Sequence, residues 1–159
     1  MTRAFVRTVT GDVSAEEISF TLPHEHTSCQ LWHIPSRWDY WELTSDEEII
    51  GAELQAFSEL GGTCLVDVTV PGIGRDPERL RRLSEATGLK VVMGSGWYRG
   101  AYYPAEALID RRSVEELAEV IVAEFELGVG ATGIRPGIIG EIGVDKPWVS
   151  AQEERVHRA

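Results

Sequence analysis

The chain has 159 residues, 43% of them apolar and 26% charged, the composition of an ordinary globular protein with room for one real core. Fifteen basic residues against twenty-six acidic ones leave a net charge of −11, which argues against nucleic acid and against an anionic membrane surface as partners. Two cysteines, Cys29 and Cys64, make no disulfide framework, and no run approaches the ~18 apolar residues of a membrane span, so a cytoplasmic, soluble protein is expected.

In chain order, "ISFTLP" (18–23) reads as a first strand and is followed at once by His24, Glu25 and His26. Side chains alternate along a strand, so His24 and His26 share a face and Glu25 takes the other. Thr44-Ser45-Asp46-Glu47 has the form of a capping box and opens a helix that closes on a glycine pair. "TCLVDVTV" (63–70) is a valine-rich second strand. Asp76-Pro77 starts a second helix, ended by Gly88. "LKVVMGS" (89–95) is the third strand, Ser113 and Glu116 open the third helix, and "GIIGEIG" (137–143) is a fourth strand thinned by glycine. Ser150 and Glu153 open a last helix, nine residues before the end.

Strand and helix alternating at this spacing predict right-handed βαβ units and a parallel sheet. The length suits about four such units of a barrel, or a small doubly wound sheet. In both, ligands bind at the carboxyl ends of the strands. His24, His26, Asp67, Thr69, Ser95, Trp97, Tyr98, Arg99 and Glu141 all fall there. Histidine with carboxylate suits zinc, manganese, cobalt or iron; the plainer reading is a pair of hydrogen-bonded histidines at the mouth of a sheet. Asp67, between valines, reads as a structural acid bonded to backbone. Trp97 and Tyr98 either line a pocket or cap the core, and Trp32, Trp38, Tyr40 and Trp41 pack a loop or cover a cleft. His33 and His157 read as surface residues, the cysteines as structural, and the helix acids as a solvated face.

These segments, "TLPHEH" after "VRTVTGDVSAEEIS", then "GGTCLVDVTVPGIGRDPERLRRLSEATGLKVVMGSGWYRGAYYP", then "TGIRPGIIGEIG", resemble the phosphotriesterase family of the amidohydrolase superfamily. The glutamate at 141 resembles the branch called phosphotriesterase homology proteins, where other branches carry a carboxylated lysine. The resemblance implies a (β/α)8 TIM barrel of which 1–159 is a single, partial, N-terminal half, stopping before a fifth strand. It implies a hydrolase that cleaves an ester, lactone or related bond through a metal-bridging hydroxide. His24 and His26 would ligate one metal, Glu141 would bridge to a second, and two zinc ions are the expected pair. Tyr98 falls where the family places an aromatic of the leaving-group pocket, and its neighbours Trp97 and Arg99 are substrate-pocket candidates with it.

The family's remaining histidines and its catalytic aspartate lie on later strands, so no complete catalytic set is expected in these residues. Activity then needs the missing C-terminal half or self-association. The alternative is a non-catalytic half-barrel that serves as an interaction module, or one chain of a two-chain enzyme.

Overall fold

The computed structural model describes residues 4–31 and 43–159. The aromatic residues of the 32–42 segment and His33 lie outside them. Two short strands come first, β1 (Phe5–Thr8) and β2 (Gly11–Ser14), paired antiparallel through a turn at Val9 and Thr10. The sequence reading did not anticipate this hairpin. Val9 ties it to the main sheet by donating to the Val91 carbonyl at 2.9 Å.

Four βα units follow. Strand β3 is Phe20–Glu25 and leads, past residues 32–42, to α1 (Glu47–Glu59); β4 is Gly62–Asp67 and leads to α2 (Pro77–Thr87). Strand β5 is Lys90–Ser95 and leads to α3 (Val114–Leu127); β6 is only Ile138–Ile139 and leads to α4 (Ala151–Arg158). The main sheet is parallel in the order β3-β4-β5-β6. A doubly wound sheet reverses its strand order at a switch point; this one does not. Sequential parallel strands with helices between them form the N-terminal half of a (β/α)8 barrel.

The helix starts follow local chemistry. Asp76 accepts from the Arg79 amide with Pro77 in the first turn, and Gly88 closes α2 at a φ of 74°. Ser113 with Glu116 and Ser150 with Glu153 form reciprocal capping boxes. Helix α1 departs from expectation: Asp46 alone caps it, accepting from Glu48 and Ile49.

The principal core lies between the sheet and α1 and α2, built on Ile50, Leu54, Leu65, Leu80, Leu83, Leu89, Val91 and Met93. A second cluster joins α3 and α4 through Trp97, Ile109, Leu117, Ile121 and Val156. A third, of Cys29, Leu31, Val70, Ile73 and Tyr102, sits beneath the carboxyl ends of the strands. Among the described residues, β3 and β6 are the edges of the main sheet. Phe20 at 59% exposed and Ile139 at 58% leave apolar surface at both. No helix among the described residues is long and apolar enough to cross a membrane.

Candidate metal centre

His24 lies in β3 and His26 just beyond it, and alternation along the strand turns both rings to one side. Their Nε2 atoms face the two oxygens of one carboxylate. His24 Nε2 is 3.1 Å from Glu141 Oε2, and His26 Nε2 is 3.5 Å from Glu141 Oε1. The ring centroids are 5.9 Å apart. One ligand atom from each of the three residues lies within 4.8 Å of the others. These residues stand 117 positions apart in sequence at their extremes; the parallel sheet brings them together.

Glu141 reaches β3 because its segment crosses over the end of β5. Gly140 donates to the Ser95 carbonyl at 2.7 Å, and Glu141 donates past β5 to the Val68 carbonyl at 3.2 Å. Gly94 permits the crossing, since a Cβ there would run into the Gly140 carbonyl oxygen.

The hydrogen bonds around His26 decide what the cluster can hold. Thr69 Oγ1 lies 3.3 Å from the Ser28 carbonyl and 2.9 Å from His26 Nδ1; when it donates to the carbonyl it is an acceptor for a proton on Nδ1. With its proton on Nδ1, neutral His26 turns a bare Nε2 lone pair toward Glu141. Two acceptors then face each other at 3.5 Å, an arrangement that a cation between them satisfies. An imidazole whose second nitrogen is held in this way is oriented as metal-ligating histidines are. The residues fit a divalent metal by the chemistry of their donors and by their orientation. Their exposure is graded: the side chain of His24 is 61% exposed, that of His26 17% and that of Glu141 20%.

Asp67 is buried and fully engaged as a structural acid, as its setting between valines implied. Oδ1 accepts from the Thr69 amide at 2.9 Å, and Oδ2 accepts from the Thr27 amide and hydroxyl at 2.8 and 2.6 Å. It fixes the two loops that carry His26 and Thr69. Cys29 and Cys64 are buried and free. Burial first, then the nearby charges of Glu141 and Asp67, push the Cys29 thiol up to about 11. At neutral pH it is a packed thiol and no nucleophile.

The residues after β5 divide. Trp97 is 4% exposed and packs with Leu117 and Val156, so within this chain it belongs to the core. Tyr98 is half-buried near Glu141; burial raises its phenol, and the neighbouring Arg99 charge opposes that. Arg99 lies 4.7 Å above the Tyr98 ring and 3.3 Å from Asp145 Oδ1. His157 is exposed on α4, away from the cluster.

Two contributors escaped the sequence reading. Thr69 was placed at the mouth with no role assigned; the Asp67-x-Thr69 alternation was the available signal. Glu153 was read as a helix cap, yet it is 1% exposed and bonded well beyond its own helix.

The model of the phosphotriesterase family matches residues 4–159, and the chain belongs to that family. It is 33% identical to the N-acetyltaurine hydrolase of Homo sapiens over 178 residues, which cover 94% of this chain and 50% of that protein. A phosphotriesterase-related protein of Nematostella vectensis is 32% identical, covered to 52% of its length by 97% of this chain. The chain thus spans about half the length of the curated relatives it matches. Among solved structures, a resiniferatoxin-binding protein from Rhodobacter sphaeroides superposes with a TM-score of 0.83 at 33% identity, over 96% of this chain and 49% of that one. A lactonase from Listeria monocytogenes gives 0.83 at 26% identity, over 96% and 51%. The phosphotriesterase homology protein of Escherichia coli, solved with phosphate in its active site, gives 0.77 at 29% identity, over 88% and 47%.

Proposed function

We propose that this chain supplies the first half of the active site of a metal-dependent hydrolase that cleaves a carboxylic ester, lactone or amide. The observation that carries this is the pair of imidazole lone-pair positions aimed at the two oxygens of Glu141. A metal bound there would act as a Lewis acid that polarises the scissile carbonyl and makes water more acidic. His24 and His26 would be its nitrogen ligands. Glu141 would add a carboxylate ligand beside both histidines, and zinc suits this donor set, as do manganese, cobalt and iron.

The chain's own residues do the rest of what this half does. Thr69 and Ser28 hold the proton of His26 at Nδ1 and keep Nε2 free. Asp67 keeps the ligand loops in register. Tyr98 and Arg99 form one wall beside the carboxylate and would contact the substrate. Trp97 supports that wall from the core. The bond class follows the relatives: one is named for hydrolysis of an N-acyl amide and another as a lactonase. Both reactions attack a carbonyl carbon, so a carbonyl substrate is the reading adopted here.

Among the described residues, His24, His26 and Glu141 gather as ligands and no further acid or histidine joins their cluster to accept a proton. The 159-residue chain alone is therefore expected to be inactive, with turnover requiring the groups of a second half-barrel. The experiment assays aryl esters, lactones and N-acetylated amines with the 159-residue chain and with the protein as its own cell makes it, both with added zinc. Hydrolysis by the cell-made protein that His26→Ala abolishes supports the reading. Hydrolysis by the 159-residue chain that His26→Ala leaves intact contradicts it.

A further inference from the structure

The loop after β5 carries Tyr98 and Arg99, and the segment after β6 carries Glu141. They are joined at three places. The Gly143 amide donates to the Tyr98 carbonyl at 2.9 Å. Arg99 pairs with Asp145 at 3.3 Å. The third joint is the carboxylate of Glu153, reaching out from α4. Its Oε1 accepts from the Gly100 amide at 3.1 Å and from the Asp145 amide at 2.8 Å, while Oε2 accepts from the Ser150 amide at 2.8 Å.

A capping box needs only the last of these bonds. The other oxygen does different work, since it binds one amide from each of two loops that come from neighbouring strands. Glu153 is 1% exposed, so water does not compete for those amides, and bonds to an ionised carboxylate are about twice as strong as neutral ones. Burial by itself would raise this carboxyl, but the amides of Ser150, Gly100 and Asp145 outweigh it and hold it at about 2. It is ionised throughout the working range.

We infer that Glu153 is a positioning residue that binds the Tyr98–Arg99 loop and the Glu141 segment into one unit. It thereby fixes the distance between the Glu141 carboxylate and the aromatic wall beside it. The consequence for metal binding rests on the proposed metal site; the joining of the loops does not.

Glu153→Gln keeps the shape, removes the charge and turns one oxygen into an N–H donor. The side chain can then serve the two loop amides or the Ser150 amide, but not all three. The test is amide hydrogen exchange with zinc titration on the protein as its cell makes it. In the parent, amides of residues 96–104 and 140–146 should open together at one rate. In Glu153→Gln the two sets should open at different rates, with β4 and α2 unchanged, and zinc affinity should fall about tenfold.

Equal opening rates for the two loops in Glu153→Gln would overturn the inference. So would zinc affinity within twofold of the parent. If Glu153→Gln fails to fold, Gly143→Ala decides, because a Cβ there lies 2.9 Å from Arg99 Cγ and from Tyr98 Cε2 and wedges the same joint from the mouth side. Common opening of both loops in Gly143→Ala would then overturn the inference, and separate opening would support it. Should the parent bind no zinc, the metal reading fails, and the exchange rates still decide the joint.

Discussion

Thr69 sits between two partners, its hydroxyl 2.9 Å from His26 Nδ1 and donating to the Ser28 carbonyl at 3.3 Å. With the ring proton on Nδ1, the chain of donors runs outward from the ring and the Nε2 lone pair of His26 faces Glu141. Metal affinity should therefore depend on a residue that never touches the metal.

Thr69→Val preserves the shape and deletes the hydroxyl. Zinc affinity should fall about 10–100-fold, the usual effect of losing such a support, while Thr69→Ser should restore most of it. Competition with a chromogenic chelator measures both. Equal affinity in parent and Thr69→Val would show that the tautomer is set elsewhere.

Asp67→Asn tests the frame beneath the ligands. An amide nitrogen would meet the Thr27 or the Thr69 amide, donor against donor, in a site 1% exposed. Bonds to a charged group contribute about 1.5–3 kcal/mol each, so urea unfolding should show a loss of at least ~2 kcal/mol. A smaller loss would mean that the loops hold themselves.

Acid should expose Glu153. Its carboxyl is held at about 2 against an ordinary value of 4.5. A lowered folded value contributes stability above the unfolded pKa and loses it as pH falls toward the folded one. The contribution is on the order of 3 kcal/mol at neutral pH, each unit being 1.36 kcal/mol. The stability gap between parent and Glu153→Gln should thus be widest above pH 5 and close between pH 4.5 and about 2. A gap that does not change with pH would place the ionised form elsewhere.

Trp97 and Tyr98 are neighbours in different settings, the first buried and the second half-buried near Glu141. Trp97→Ala opens the cluster of α3 and α4 and should cost about 3–5 kcal/mol of stability. Tyr98→Ala should leave stability nearly intact and raise KM in the complete enzyme. If Tyr98→Ala changed stability more than KM, the wall beside Glu141 would be packing and no pocket.

Much of this was legible in the sequence because it is local. His24-x-His26 on a strand end, the Asp76-Pro77 start, the Ser113 and Ser150 boxes and the valine-rich strands each depend on a few adjacent residues. The fourth strand was visible as a glycine-thinned run, but not its length of two residues, since Glu141 leaves β5 to bond with Val68 just past β4. The hairpin of β1 and β2 was hidden because "FVRTVTGDVS" offers no long apolar run. Glu153 was misjudged for a related reason. Its sequence signal is complete as a cap, and its bond to Gly100 spans 53 residues; only packing reveals that.

The central claim is that His24, His26 and Glu141 hold a divalent metal. Calorimetric zinc titration of the parent chain against His26→Ala and Glu141→Ala tests it most directly. Saturable binding that weakens at least about 100-fold in both variants, with the fold kept, is the predicted result. Parent binding that both variants retain, or no binding by the protein as its cell makes it, would contradict it.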